Sequence, residues 1–86
     1  MSGNSPFMIR FYRTRKGMTQ TELGEKAAEI LGRDRPFPRS TISLMETGRS
    51  LPTDMKQAEA IADTLGVLPS ALWPQAILEI LAAKDA

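Results

Sequence analysis

The chain contains no cysteine and no histidine. Without thiols it has neither a disulfide framework nor a thiolate metal site. Without imidazole it lacks the usual general base and the usual nitrogen ligand, which leaves carboxylates alone for catalysis. No nucleophile–base set can be assembled, and the six glycines are scattered, mostly as helix stops, rather than gathered in a phosphate-binding loop. No apolar run approaches the ~20 residues of a membrane span, and the first residues lack the charged-then-apolar pattern of a secretory signal. Period-2 alternation, internal repeats and low-complexity tracts are missing too. These absences predict a soluble, cytoplasmic, all-α protein that is not an enzyme and has no metal, cofactor or membrane attachment.

What is present begins with size and charge. At 86 residues the chain forms one small domain, near the lower limit for burying a core without staples. A net charge of +1 conceals an asymmetry. Residues 1–49 carry nine basic groups against five acidic ones, a balance of +4, whereas residues 50–86 carry two against five, a balance of −3. A basic first half suits a polyanion-binding face; chance clustering on a solvated surface gives the same count.

Helix signals follow in order. Ser5 and Pro6 offer a cap and a first-turn proline for a helix running to Lys16, with Ile9 and Tyr12 inward and Gly17 as the stop. Thr19 and Glu22 form a capping box opening a second helix, whose inner stripe is Leu23, Ala27 and Ile30 and which ends near Gly32. A short third helix spans about Ser40 to Thr47, with Ile42 and Met45 inward and Gly48 closing it. Pro52 and Thr53 announce a fourth, carrying Met55, Ala58, Ile61, Ala62 and Leu65 and ending at Gly66. Pro69 starts a brief fifth helix with Leu72 and Trp73, and Pro74 begins a last one to about Lys84.

The stretch GRDRPFPRSTISLMETGR, residues 32 to 49, is unusual for a surface helix and its approach. Arginines and prolines precede a helix whose polar positions are Ser, Thr and Ser rather than Lys and Glu. Short hydroxyls fit within a nucleic-acid groove without steric conflict, although Ser40 also serves simply as a helix cap.

The segments TQTELGEKA and STISLMETG, with IRFYRTRKGMTQ before them and P-x-x-M-x-x-A-x-x-I-A-x-x-L-G-V after, resemble the helix-turn-helix of the lambda-repressor-like (Cro/cI-type, XRE) DNA-binding family. The likeness covers about Ile9 to Trp73. It implies a compact five-helix DNA-binding domain over residues 6–73, a flexible arm over 1–5, and an additional C-terminal helix over 74–86. It also implies that Arg39, Ser40 and Leu44 face base edges, Arg39 toward guanine and Leu44 toward a thymine methyl. Gln20, Thr41, Ser43, Thr47, Arg49, Arg10 and Lys16 are implied at the DNA backbone. Gly24 takes the family's small-residue position where the second and third helices cross. Arg13 and Glu46 correspond to an ion pair tying the first helix to the third, against the plainer reading of two independent surface charges.

One departure stands out. The connection between the second and third helices is longer than the family's tight turn, because it includes GRDRPFPR. Phe37 then replaces the turn's buried aliphatic residue, and Pro38 stands where a capping Ser or Thr is common. Arg33 and Arg35 in this loop read either as a phosphate clamp or as part of a tolerated surface insertion.

The resulting expectation is a sequence-specific, double-stranded DNA-binding transcriptional regulator with an inverted-repeat operator. Ile77, Leu78, Ile80 and Leu81 cover more than one face of the last helix and are expected to form a homodimer interface, the competing reading being a lid on the chain's own core. The alternative function is an antitoxin-like partner of a co-encoded protein, whose DNA binding serves autoregulation.

Overall fold

In the computed structural model, which describes residues 7–85, five α-helices and one short turn of 3-10 helix wrap a single core, with no strand among the described residues. The expected arm over 1–5 and the Ser5–Pro6 helix start lie outside them. Helix α1 spans Phe7–Arg15, α2 Gln20–Leu31, α3 Arg39–Glu46, α4 Met55–Leu65 and α5 Gln75–Asp85. The brief helix expected at Pro69 is a 3-10 turn over Pro69–Ala71, so α5 is the fifth α-helix and the sixth helical element in chain order. No helix among the described residues is long and apolar enough to cross a membrane.

Helix boundaries follow local chemistry. At the start of α2 the Thr19 hydroxyl accepts from the Glu22 N–H at 3.0 Å, and the Glu22 carboxylate accepts from the Thr19 N–H at 2.8 Å. Two of the helix's orphan donors are thereby satisfied. At its end Gly32 takes φ 78°, the left-handed conformation that other residues resist, and lets the Arg33 N–H reach the Ala28 carbonyl at 2.9 Å. Helix α4 is capped by Asp54, one residue later than Thr53, through the Gln57 N–H at 2.9 Å.

Helix α4 lies at the centre and packs most extensively against α2, and its Ala58, Ile61, Ala62 and Leu65 are buried. Leu23, Ala27, Ile42 and Ile9 are buried in the same core. The inner face of α2 differs from expectation in one residue. Ile30 is 52% exposed, whereas Ala28 is buried and Leu31 packs on the core. Phe37 closes on α2 at Gly24, on the face away from Ile30.

That closure is tight. The Phe37 N–H donates to the Gly24 carbonyl at 3.2 Å, and a Cβ built on Gly24 would lie 2.3 Å from the Phe37 carbonyl oxygen. The backbone of the long connection therefore requires glycine at position 24. Phe37 is buried as expected, with the Arg33 guanidinium 4.1 Å from its ring centroid. Pro38 then sits at the N-cap of α3, and no side chain caps that helix. Ser40, expected in part as a cap, lies instead one residue inside an α-helix that begins at Arg39.

Candidate nucleic-acid interface

The N-terminus of α2, the C-terminal half of α1 and one face of α3 converge on an open groove of about 790 Å³. Helical spacing explains which α3 residues reach it. Arg39, Ser43 and Glu46 stand at i, i+4 and i+7, so one stripe of a short helix faces the groove. Thr47 and, from α1 and α2, Arg10, Arg13 and Gln20 complete the wall.

Charged side chains on this wall are held by directional bonds. Arg13 and Glu46 form an ion pair through Arg13 Nε and Glu46 Oε2, with side chains only 12% and 5% exposed. A second Arg13 nitrogen reaches Glu46 Oε1 at 3.3 Å, and a third donates to the Met18 carbonyl at 2.8 Å. The fork geometry of the guanidinium makes this multiple use possible. Gln20 Nε2 donates to Glu46 Oε1 at 3.0 Å, and Arg39 Nε donates to Gln20 Oε1 at 3.1 Å. A buried carboxylate is thus linked on one side to α1 and on the other, through an amide, to the first residue of α3. The two partners named as independent surface charges in the plainer reading are joined.

The remaining expected contact residues divide by place. Ser40 and Leu44, four residues apart, form a second exposed stripe along α3, which Thr47 at the C-cap joins to the groove wall, and Thr41 is half-buried. Arg49 is exposed just beyond the helix, its N–H fixed to the Leu44 carbonyl at 2.9 Å. Lys16 does not join this set. It lies against the C-terminal end of α4, where a Cβ on Gly66 would be 3.5 Å from Lys16 Cε and 3.8 Å from Nζ. A cation at the C-terminal end of a helix is favourably placed.

Of four further residues that line the groove, Gly17, Met18, Thr19 and Thr21, the last two flank Gln20 at the start of α2. Their signal was available, because an N-terminal turn exposes N–H groups and hydroxyls to any anion placed there. The Thr19 hydroxyl is committed to the capping box. Arg33 is occupied by its stacking on Phe37, whereas Arg35 is exposed.

The last helix departs furthest from expectation. Leu78 is 7% exposed and Leu81 2%, both within the chain's own core, and Ile77 packs against that core. Of the four residues expected at a dimer interface, Ile80 alone stands well exposed, at 57%. The reason is that α5 docks on α4 and the 3-10 turn, which need a lid. A separate apolar groove of about 160 Å³ opens between Met45, Leu51, Leu72, Trp73, Pro74 and Ile77.

No protein-family model, curated protein or solved structure matches the chain.

Proposed function

We propose that this protein binds duplex DNA sequence-specifically, as a transcriptional regulator of the lambda-repressor-like kind, with α3 entering the major groove. The observation that carries this reading is the α2–α3 face itself. A short helix exposes Ser40 and Leu44 on its outer stripe and Thr47 at its end, while Arg39, anchored to Gln20, borders the same surface with Arg10 and Arg49 nearby. Short hydroxyls and one apolar side chain suit base edges, and flanking arginines suit phosphates. The excess of basic groups lies in the half of the chain that builds this face. Action as a homodimer on an inverted repeat belongs to the same proposal, because two-fold pairing sets two such helices about one DNA turn apart, ~34 Å.

The second reading, an antitoxin-like partner of another protein, draws on the apolar groove beside Leu51 and Trp73 and on the exposure of Leu51 and Ile80. Selection of bound duplexes from random sequence, followed by salt titration, tests the first reading. A preferred site bound several-fold over random DNA is expected, with a log–log salt slope that falls in magnitude by about one on Arg49→Ala. Absence of duplex binding after selection removes the proposal. Sedimentation mass separates the two partnerships: a stable homodimer favours the regulator, and a monomer pairing only with a co-encoded protein favours the second.

A further inference from the structure

We propose that Arg35, in the connection between α2 and α3, contacts a DNA phosphate at the rim of the major groove. The inference rests on the duplex-binding reading above and adds a contact from a segment which that reading leaves unused. The segment, residues 32–38, is held at both ends. Gly32 turns the chain at the end of α2, and the Arg33 N–H is fixed to the Ala28 carbonyl at 2.9 Å. At the other end Phe37 is buried, and its N–H donates to the Gly24 carbonyl at 3.2 Å. Pro36 and Pro38 restrict the backbone on either side of it. Between the two anchors lie Asp34, Arg35 and Pro36, so Arg35 is presented from a stiff frame. Little loop freedom is then left to lose on binding.

The two arginines of the segment are placed differently. The Arg33 guanidinium lies over the Phe37 ring, 4.1 Å from its centroid. Arg33, Asp34 and Pro36 also line an open groove of about 420 Å³ with Glu25 and Glu29 of α2. Three carboxylates make that side of the loop unfavourable for a polyanion. Arg35 is not part of that wall. It is exposed, and its side chain has no hydrogen-bond or ion-pair partner among the described residues. The chain limits how far it stands from the recognition helix. Arg35 precedes Arg39, the first residue of α3, by four residues, so their Cα atoms are at most ~14 Å apart. The major groove is ~12 Å wide. With α3 in the groove, Arg35 therefore stands about one groove width from its leading end, where the phosphates run. Phe37 keeps the segment from trailing away, because it meets α2 at Gly24, ~6 Å along the axis from Gln20 at the start of that helix.

The test compares the parent, Arg35→Gln, Arg35→Lys and Arg33→Gln on the selected site. Salt titration is combined with ethylation interference, which reports each phosphate whose alkylation blocks binding. In Arg35→Gln the log–log salt slope should fall in magnitude by about 0.9 per bound subunit, and interference should disappear at one phosphate per half-site. Base preference should stay as in the parent, because a phosphate contact reads no base. Arg35→Lys keeps the charge and should keep both the slope and the phosphate. Arg33→Gln removes an equal charge from the same segment and should leave the interference map intact. Thermal melts establish that each variant is folded. If Arg35→Gln leaves the map unchanged, or if Arg33→Gln and Arg35→Gln act alike, Arg35 makes no phosphate contact and the duplex-binding reading survives. If the parent binds no duplex, both fall together.

Discussion

The α2–α3 junction and the seat of α5 bury comparable side chains by opposite means. At the junction a charged group, Glu46, is taken out of water and satisfied by Arg13 and Gln20, each bond demanding a direction. At the seat of α5, Leu78 and Leu81 enter the core with no polar atom to satisfy, and volume is the main requirement. The difference predicts different tolerance. Residues of the junction are specified by identity, because an unmatched donor or acceptor there costs the desolvation of its partner. Residues of the α5 seat are specified by size and shape, so related apolar groups can exchange. A protein with one face held by directional bonds and another by bulk can keep a recognition surface rigid on an ordinary core.

Breaking the junction should have the largest effect. Arg13→Met removes the cation and leaves Glu46 buried with Gln20 alone, at a cost of about 3–5 kcal/mol. Urea denaturation measures it. The paired change Arg13→Met with Glu46→Met should recover much of the loss, because both charges then disappear together. A loss under about 1 kcal/mol for Arg13→Met would place the pair with exposed surface bridges instead.

At the α5 seat the contrast is between neighbours on one helix. Leu81→Ala should cost about 3 kcal/mol through its cavity, Leu81→Met less than about 1.5, and Ile80→Ala within about 0.5. Equal losses at Leu81 and Ile80 would show that α5 does not dock as described. The same helix tests association. Charging Leu78 or Leu81 unfolds the protein and reports nothing about partners, whereas Ile80→Glu leaves the core intact. If Ile80 belongs to a homodimer contact, Ile80→Glu lowers the sedimentation mass without lowering the melting temperature of the monomer.

Local signals explain why much of the fold was legible in the sequence. The Thr19–Glu22 box and the glycines at 32 and 66 are read within a few residues, and the structure has them where the spacing put them. Burial of Phe37 was legible through the resemblance, which puts it in place of the turn's buried aliphatic residue. Which face of α2 it would cover was not, since Leu23 and Ala27 fit a stripe through Ile30 as well as one through Leu31. Helix α5 carries apolar residues at 77, 78, 80 and 81, so its period cannot choose a face, and the choice fell to α4. Gln20 shows the same limit at the candidate site. Its amide reads as free to meet a phosphate until Arg39, 19 residues on, and Glu46, 26 residues on, are brought beside it.

A small expected effect lies at the start of α2, where a directional bond is exposed to water. Glu22 has its pKa lowered from 4.5, first by the Thr19 backbone N–H that it accepts, then by the Thr19 side chain. A carboxyl whose folded pKa lies below its unfolded value adds stability above the unfolded value, and that stability disappears as pH falls through the folded value. Glu22→Gln keeps an acceptor for the Thr19 N–H but cannot titrate. Parent and Glu22→Gln should therefore differ in melting temperature near neutral pH and converge once the pH has fallen below the folded pKa of Glu22. Thr19→Ala, which removes the acceptor for the Glu22 N–H at 3.0 Å, should cost about 1 kcal/mol. Its effect should extend to both ends of the pH range, because the hydroxyl carries no charge. If the parent and Glu22→Gln instead diverge further in acid, the box does not hold the ionised carboxylate, and α2 owes its start to packing alone.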